Sequence, residues 1–224
     1  ENEEKKLGIN TRKNFPTATL IDPLLTMSAP EQAVISSALD TLVHCVDSFG
    51  STKKTTFSRI FSKEGFRRTF DTLLKRNLND PTARMDLAIG SICGITALMN
   101  SGDGPTNGFA YYFGVKNKIP HGLAGAIFLK EVMNWNYRNG YTEYIHLRHE
   151  TNKTSQKDGN KKLFNDLNEL YTKLNIPKLN SYGYNNENTM NIAKEVSEAL
   201  QGSFSGNPIP FTDKSAEEIL NRLI

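Results

Sequence analysis

Apolar residues recur at helical spacing along most of this chain. Val34, Ile35, Ala38, Leu42 and Val46 share one face of a helix expected to run to about Phe49 and to stop at Gly50. Ser28, Pro30 and Glu31 read as its start: a hydroxyl to cap, a proline in the first turn, and an acid for the positive helix end. A second helix is predicted over residues 57–74, interrupted only by Gly65. A third follows Asp80-Pro81, with Asp80 as its cap and Ala83, Leu87, Ile92, Ile95 and Leu98 as its apolar positions. Gly90 and Gly94 lie one turn apart within it, a spacing that lets another backbone come close.

Residues 101–105 break the pattern, and the aromatic-rich stretch 108–115 reads as helix or turn. Pro120 opens a further helix through residue 137, and more are expected over 142–149, 161–174, 190–200 and 215–223. Residues 152–160 and 175–188 are polar and read as loops. Ahead of all this, residues 17–21 are apolar and β-branched, and suggest a short strand that Pro23 ends. The reading is therefore a lead-in loop and strand over 1–27, then one all-α domain over 28–224. Its fold class is an irregular multi-helix bundle of roughly eight helices.

Composition changes this picture little. The 224 residues carry a formal charge of +3, and the basic residues at 11–13, 66–70 and 73–77 are scattered as on solvated helix faces. No nucleic-acid partner is expected. No apolar run approaches the ~20 residues of a bilayer span. The acidic, polar start ENEEKK does not resemble a signal peptide. Cys45 and Cys93, both in apolar stretches and without C-x-x-C spacing, read as reduced, buried thiols of a cytoplasmic protein.

The chemistry concentrates in Asp40 and His44, four residues apart in SSALDTLVHCVD, and in His121 of NKIPHGLAGAIFL. On a helix the first two point the same way, and a carboxylate stacked on an imidazole can hold a divalent ion. A second imidazole from a distant element would close most of the coordination shell.

These residues sit in longer strings that resemble a known family. TATLIDPLLTMSAPEQAVISSALDTLVHCVDSFGS resembles the first signature of the iron-containing (group III) alcohol dehydrogenases, a D-P segment leading into a D-A-L-x-H-A-x-E helix. GPTNGFAYYFGVKNKIPHGLAGAIFLKEVM resembles the second, which ends in P-H-G, and NPIPFT at 207–212 resembles an N-P-R-x-x-T motif near the end. Members have an N-terminal domain that binds NAD(P) through a Gly-rich turn and a C-terminal all-α domain with one metal, iron or zinc, in the cleft between them. The resemblance covers only the second, so about half of the protein is expected to precede this sequence.

The resemblance implies metal ligands at Asp40, His44 and His121, and at Asn107, fourteen residues before His121, where the family carries histidine. The amide is a weaker ligand than imidazole for Fe(2+) or Zn(2+). Lys6 aligns with a lysine that contacts the cofactor. Tyr111 stands where many relatives carry another histidine, and lines the substrate pocket or simply packs. Asp47 is read as a surface acid, or else as a carboxylate orienting an imidazole. His146 and His149 match no ligand and are expected to be exposed. The implied protein is an NAD(P)-dependent, metal-assisted alcohol or sugar-alcohol dehydrogenase. Its partners would be its own N-terminal dinucleotide-binding domain, a small alcohol or aldehyde, and a second copy in a homodimer. The isolated chain should be inactive. Two alternatives remain: a metal-free domain kept for oligomerisation or scaffolding, and a lyase of the dehydroquinate-synthase type.

Overall fold

The computed structural model describes residues 12–14, 16–75, 77–148, 156–185 and 187–223. Among them there are nine α-helices and no strand: α1 (Glu31–Gly50), α2 (Thr56–Lys75), α3 (Pro81–Met99), α4 (Pro105–Lys116), α5 (His121–Arg138), α6 (Gln156–Lys173), α7 (Thr189–Ala199), α8 (Gln201–Ser205) and α9 (Asp213–Leu220). The all-α class follows from the sequence as expected.

Local chemistry explains several boundaries. The Asp80 carboxylate accepts from the backbone N–H of Thr82 at 2.8 Å, and Pro81 occupies the first turn of α3, where no N–H is needed. Thr212 and Ser215 form a reciprocal capping box at the start of α9. Pro30 itself occupies the cap position of α1, so Ser28 lies in the preceding turn and does not cap the helix. Gly50 is the last residue of α1, and Ser51 follows as its C-cap.

Other expectations need correction. Residues 17–21 form no strand, since a strand exists only when paired, and Leu20 is 93% exposed there. The stretch expected as a helix over 142–149 contains a 3-10 turn, Glu143–Leu147. The loop expected over 152–160 gives way to α6 from Gln156, and residues 108–115 lie within a full helix. Ile92 and Ile95 point outward, 40% and 41% exposed, while Ala83, Leu87, Gly90 and Gly94 face the interior. Among the described residues α3 is also the one helix long and apolar enough to cross a bilayer; here it packs against α1 and α2.

Two apolar cores result. One gathers α1, α2 and α6, with Leu39, Leu42, Val46, Phe66, Phe70, Leu163 and Leu167 at its centre. The other is aromatic and joins α4, α5, α7, α8 and α9 through Phe109, Phe113, Phe128, Phe204 and Phe211. Asn207, from the NPIPFT motif, ties the last loop to α5. It exchanges two amide hydrogen bonds with Asn136, at 2.6 and 2.9 Å, and Asn136 also donates to the Tyr144 hydroxyl. Through the buried Asn207 that motif acts as a structural clasp. Cys45 and Cys93 are free and buried, as expected.

Candidate metal centre

The centre forms where α1, α4 and α5 meet. On α1, Asp40 and His44 stand one turn apart, with His44 Nε2 3.6 Å from Asp40 Oδ2. Pro120 occupies the cap position of α5, so His121 is its first residue. Gly122 comes next, and its lack of a side chain is a packing requirement. A Cβ at that position would run into the Ser36 carbonyl oxygen and come within 3.0 Å of the Asp40 Cβ. The glycine therefore lets the start of α5 touch α1, and that contact seats His121 Nε2 3.6 Å from Asp40 Oδ1.

Asn107 enters from the first turn of α4. It is 3% exposed, and its Oδ1 lies 3.2 Å from His121 Nε2. The start of α4 is anchored by Asp47, whose Oδ2 accepts from the backbone N–H groups of Gly104 at 3.2 Å and Asn107 at 2.8 Å. Gly104 admits this carboxylate, because a Cβ there would stand 2.8 Å from Asp47 Cγ. Asp47 is thus not a surface acid. It is buried, and it holds the α4 backbone rather than an imidazole. Burial pushes its pKa up to about 7, against the two N–H bonds that favour the charged form.

Asp40, His44 and His121 are half-buried, and Asp40 and His121 open onto a pocket of about 580 Å³, lined also by Gln32, Ser36, Pro120 and Leu123. The Tyr111 ring packs on His121, centroids 4.8 Å apart. Burial raises the Tyr111 pKa most, and the negative charges of Asp103 and Asp40 raise it further. A hydrogen bond from the Asn107 amide opposes them. The field here is anionic, which suits a cation.

Asp40 Oδ1 is the observation that tests the fit to a metal. It is buried, and no hydrogen bond satisfies it. An unsatisfied buried carboxylate oxygen facing an imidazole is costly on its own and natural beside a cation. The donor types, one carboxylate, two imidazoles and an amide oxygen, fit a divalent transition ion. As they stand, the carboxylate offers a different oxygen to each ring. Among the described residues no three His, Cys, Asp or Glu side chains already converge on one point.

Lys6 and His149 lie outside the described residues. His146 is half-buried on the 3-10 turn Glu143–Leu147 rather than exposed, and belongs to no part of this centre. Sequence reasoning missed the role of Asp47. The signal available was a carboxylate one turn past His44 together with a glycine-rich break ahead of α4.

Comparison with known proteins points the same way. The profile of the Fe-containing alcohol dehydrogenase family, C-terminal, matches residues 34–224. The 4-hydroxybutyrate dehydrogenase of Clostridium kluyveri is 24% identical over 221 residues, covering 96% of this chain and 59% of that protein. The aldehyde-alcohol dehydrogenase 2 of Entamoeba histolytica is 27% identical over 132 residues, 59% of this chain and 15% of that one. An archaeal halo-thermophilic alcohol dehydrogenase from a Red Sea brine pool has the same fold, with a TM-score of 0.87 at 16% identity over 99% of this chain and 58% of its own. The chain thus spans less than two thirds of the length of these relatives.

Proposed function

The chain belongs to the Fe-containing alcohol dehydrogenase family through that family's C-terminal domain, and from this premise we propose that it is the metal-binding half of an NAD(P)-dependent alcohol dehydrogenase. Joined to a dinucleotide-binding domain, it would interconvert a small alcohol and its aldehyde. The observation that carries this reading is the Asp40 carboxylate, which stands against the His44 and His121 rings with its Oδ1 buried and without a hydrogen bond.

Asp40, His44 and His121 would hold the ion, with the Asn107 amide in the fourth position. A bound divalent ion would polarise the alcohol oxygen and ease loss of its proton, while NAD(P)+ takes the hydride. The chain's own residues do the rest. Asp40 keeps the centre anionic. Gly122 and Asp47 set α5 and α4 against α1, so that Asp40 and His121 face one pocket and Asn107 lies behind His121. The Tyr111 ring packs on His121 and shields that side of the centre. The 580 Å³ pocket is large enough for a small alcohol beside Asp40 and His121.

Hydride transfer depends on placing the reacting carbons to within about 1 Å. Among the described residues there is no strand, and so no strand-to-helix glycine turn to seat a dinucleotide. The chain alone is expected to show no turnover and to gain it when joined to such a domain. The metal reading is tested on the chain itself. Added Fe(II) or Zn(II) should raise the melting temperature, and Asp40→Ala should abolish the rise. A wild-type chain unmoved by either ion would instead favour a metal-free domain kept for assembly, the reading to which Asn107 lends its weight.

A further inference from the structure

We infer that the groove between the segment 20–29, α1 and α3 binds a medium-chain monocarboxylate, its head on Arg84 and its tail along the apolar walls. The inference goes beyond the reading above and does not depend on the metal centre.

Arg84 is the fourth residue of α3 and is 4% exposed. Its Nε donates to the Leu78 carbonyl oxygen at 2.6 Å, which accounts for one of the five guanidinium N–H groups. Nη1 is buried and has no acceptor. Among the described residues no carboxylate forms an ion pair with this guanidinium. A buried cation without a counter-ion is costly, and the cost falls when an anion reaches it.

Arg84 lines a groove of about 540 Å³ beside α1, a size typical of small-molecule sites. The other walls include Leu20, Leu25, Val34, Leu87 and Ile92. Leu20 is 93% exposed, Leu25 79% and Ile92 40%, so a hydrocarbon laid against them removes apolar surface from water. Ala33 and Ser37 also border the pocket at the metal centre, but none of Asp40, His44, Asn107 and His121 lines this groove.

The buried cation and the apolar walls together select one chemistry. A guanidinium pairs with a planar carboxylate through two parallel N–H bonds. The walls beside it favour a hydrocarbon tail. A small anion satisfies only the first, and an alcohol only the second. Asp22 also lines the groove, its Oδ1 accepting from the Leu24 backbone N–H at 2.9 Å. Its charge works against an anionic head, so removing that charge should tighten binding.

The test is calorimetric titration of the chain, freed of metal by dialysis against a chelator, with octanoate, butanoate, acetate and octanol. Octanoate should bind about tenfold to hundredfold more tightly than octanol, the range for a hydrogen bond to a charged group. It should also bind more tightly than butanoate, by up to about fourfold for each added methylene. Asp22→Asn should tighten octanoate binding and leave octanol unchanged. Ile92→Glu puts a negative charge on an exposed wall, which the fold tolerates, and should weaken octanoate by about tenfold. Arg84→Met should erase the preference for octanoate over octanol. That variant also loses the bond to Leu78; if circular dichroism shows it unfolded, Ile92→Glu and Asp22→Asn decide. Equal binding of octanoate and octanol would overturn the role of Arg84. Equal binding of octanoate and acetate would overturn the tail. Octanoate binding unmoved by both Ile92→Glu and Asp22→Asn would place the site elsewhere. No octanoate binding by the folded chain at millimolar concentration would overturn the inference outright.

Discussion

The α1–α2–α3 half and the α4–α5–α7–α9 half are held together by different means. In the first, helices close in sequence meet backbone to backbone. A Cβ on Gly65 would stand 2.8 Å from Cys45 Sγ and 3.0 Å from the Gly90 carbonyl oxygen, and one on Gly94 would stand 3.2 Å from Thr41 Cγ2. In the second, the helices are joined by rings. Phe109 stacks on Phe128 with centroids 4.5 Å apart, and Phe204 meets Phe211 edge-on at 4.7 Å. Backbone packing removes volume so that little side-chain adjustment remains, whereas an aromatic cluster supplies volume and draws distant segments onto it. The candidate metal centre lies on the boundary, with Asp40 and His44 from the glycine-packed half and Asn107 and His121 from the aromatic one. Its geometry therefore depends on both.

The largest expected effect is at that boundary. Gly122→Val would drive a branched side chain into the Ser36 backbone, which cannot retreat without moving α1. A loss exceeding about 5 kcal/mol is expected, enough to empty the native state. Circular dichroism of a folded variant with intact metal binding would show that the seam is softer than described. Phe109→Ala removes the ring that touches four others and should cost about 3–5 kcal/mol in chemical denaturation. A loss below 1 kcal/mol by that measurement would dissolve the contrast between the two halves.

Asp47 sharpens the comparison through pH. Its folded pKa, about 7, lies above the ordinary 3.8, so the folded state binds the proton more tightly than the unfolded state. Its stabilising contribution is full below about pH 4 and is lost as pH rises through about 7, amounting to up to about 4 kcal/mol. Asp47→Asn should flatten the stability profile across that window in thermal melts at stepped pH. A variant with the wild-type slope would place the titration elsewhere.

The smallest effect tests the glycine half. Gly90→Ala brings a methyl onto Thr69 Oγ1, a side chain stiff at χ1, and should destabilise by about 1–3 kcal/mol. Adding Thr69→Ala should recover most of that loss in the same denaturation experiment. An unrecovered loss would locate the strain in the backbone.

Legibility followed how far apart in sequence the partners of an interaction lie. The helices of the first half could be read from spacing and caps, because Asp80 and its neighbours act within one turn of the chain. So could the pairing of Asp40 with His44, which needs nothing beyond one helix. The outward turn of Ile92 and Ile95 could not, since an apolar residue at helical spacing carries no mark of which neighbour will cover it. Nor could the burial of Asp47, whose partners lie 57 and 60 residues away.

Composition and periodicity by themselves determined an all-α chain, the approximate helix order and the residue types capable of holding an ion. Each rests on interactions between residues a few positions apart. Only the tertiary structure decided that α5 begins against α1, that Asn107 turns its oxygen toward His121, and that one oxygen of Asp40 is left without a hydrogen bond. Those outcomes depend on how closely two backbones approach, and that distance is set by a glycine on one helix and a carbonyl on another, far apart in sequence.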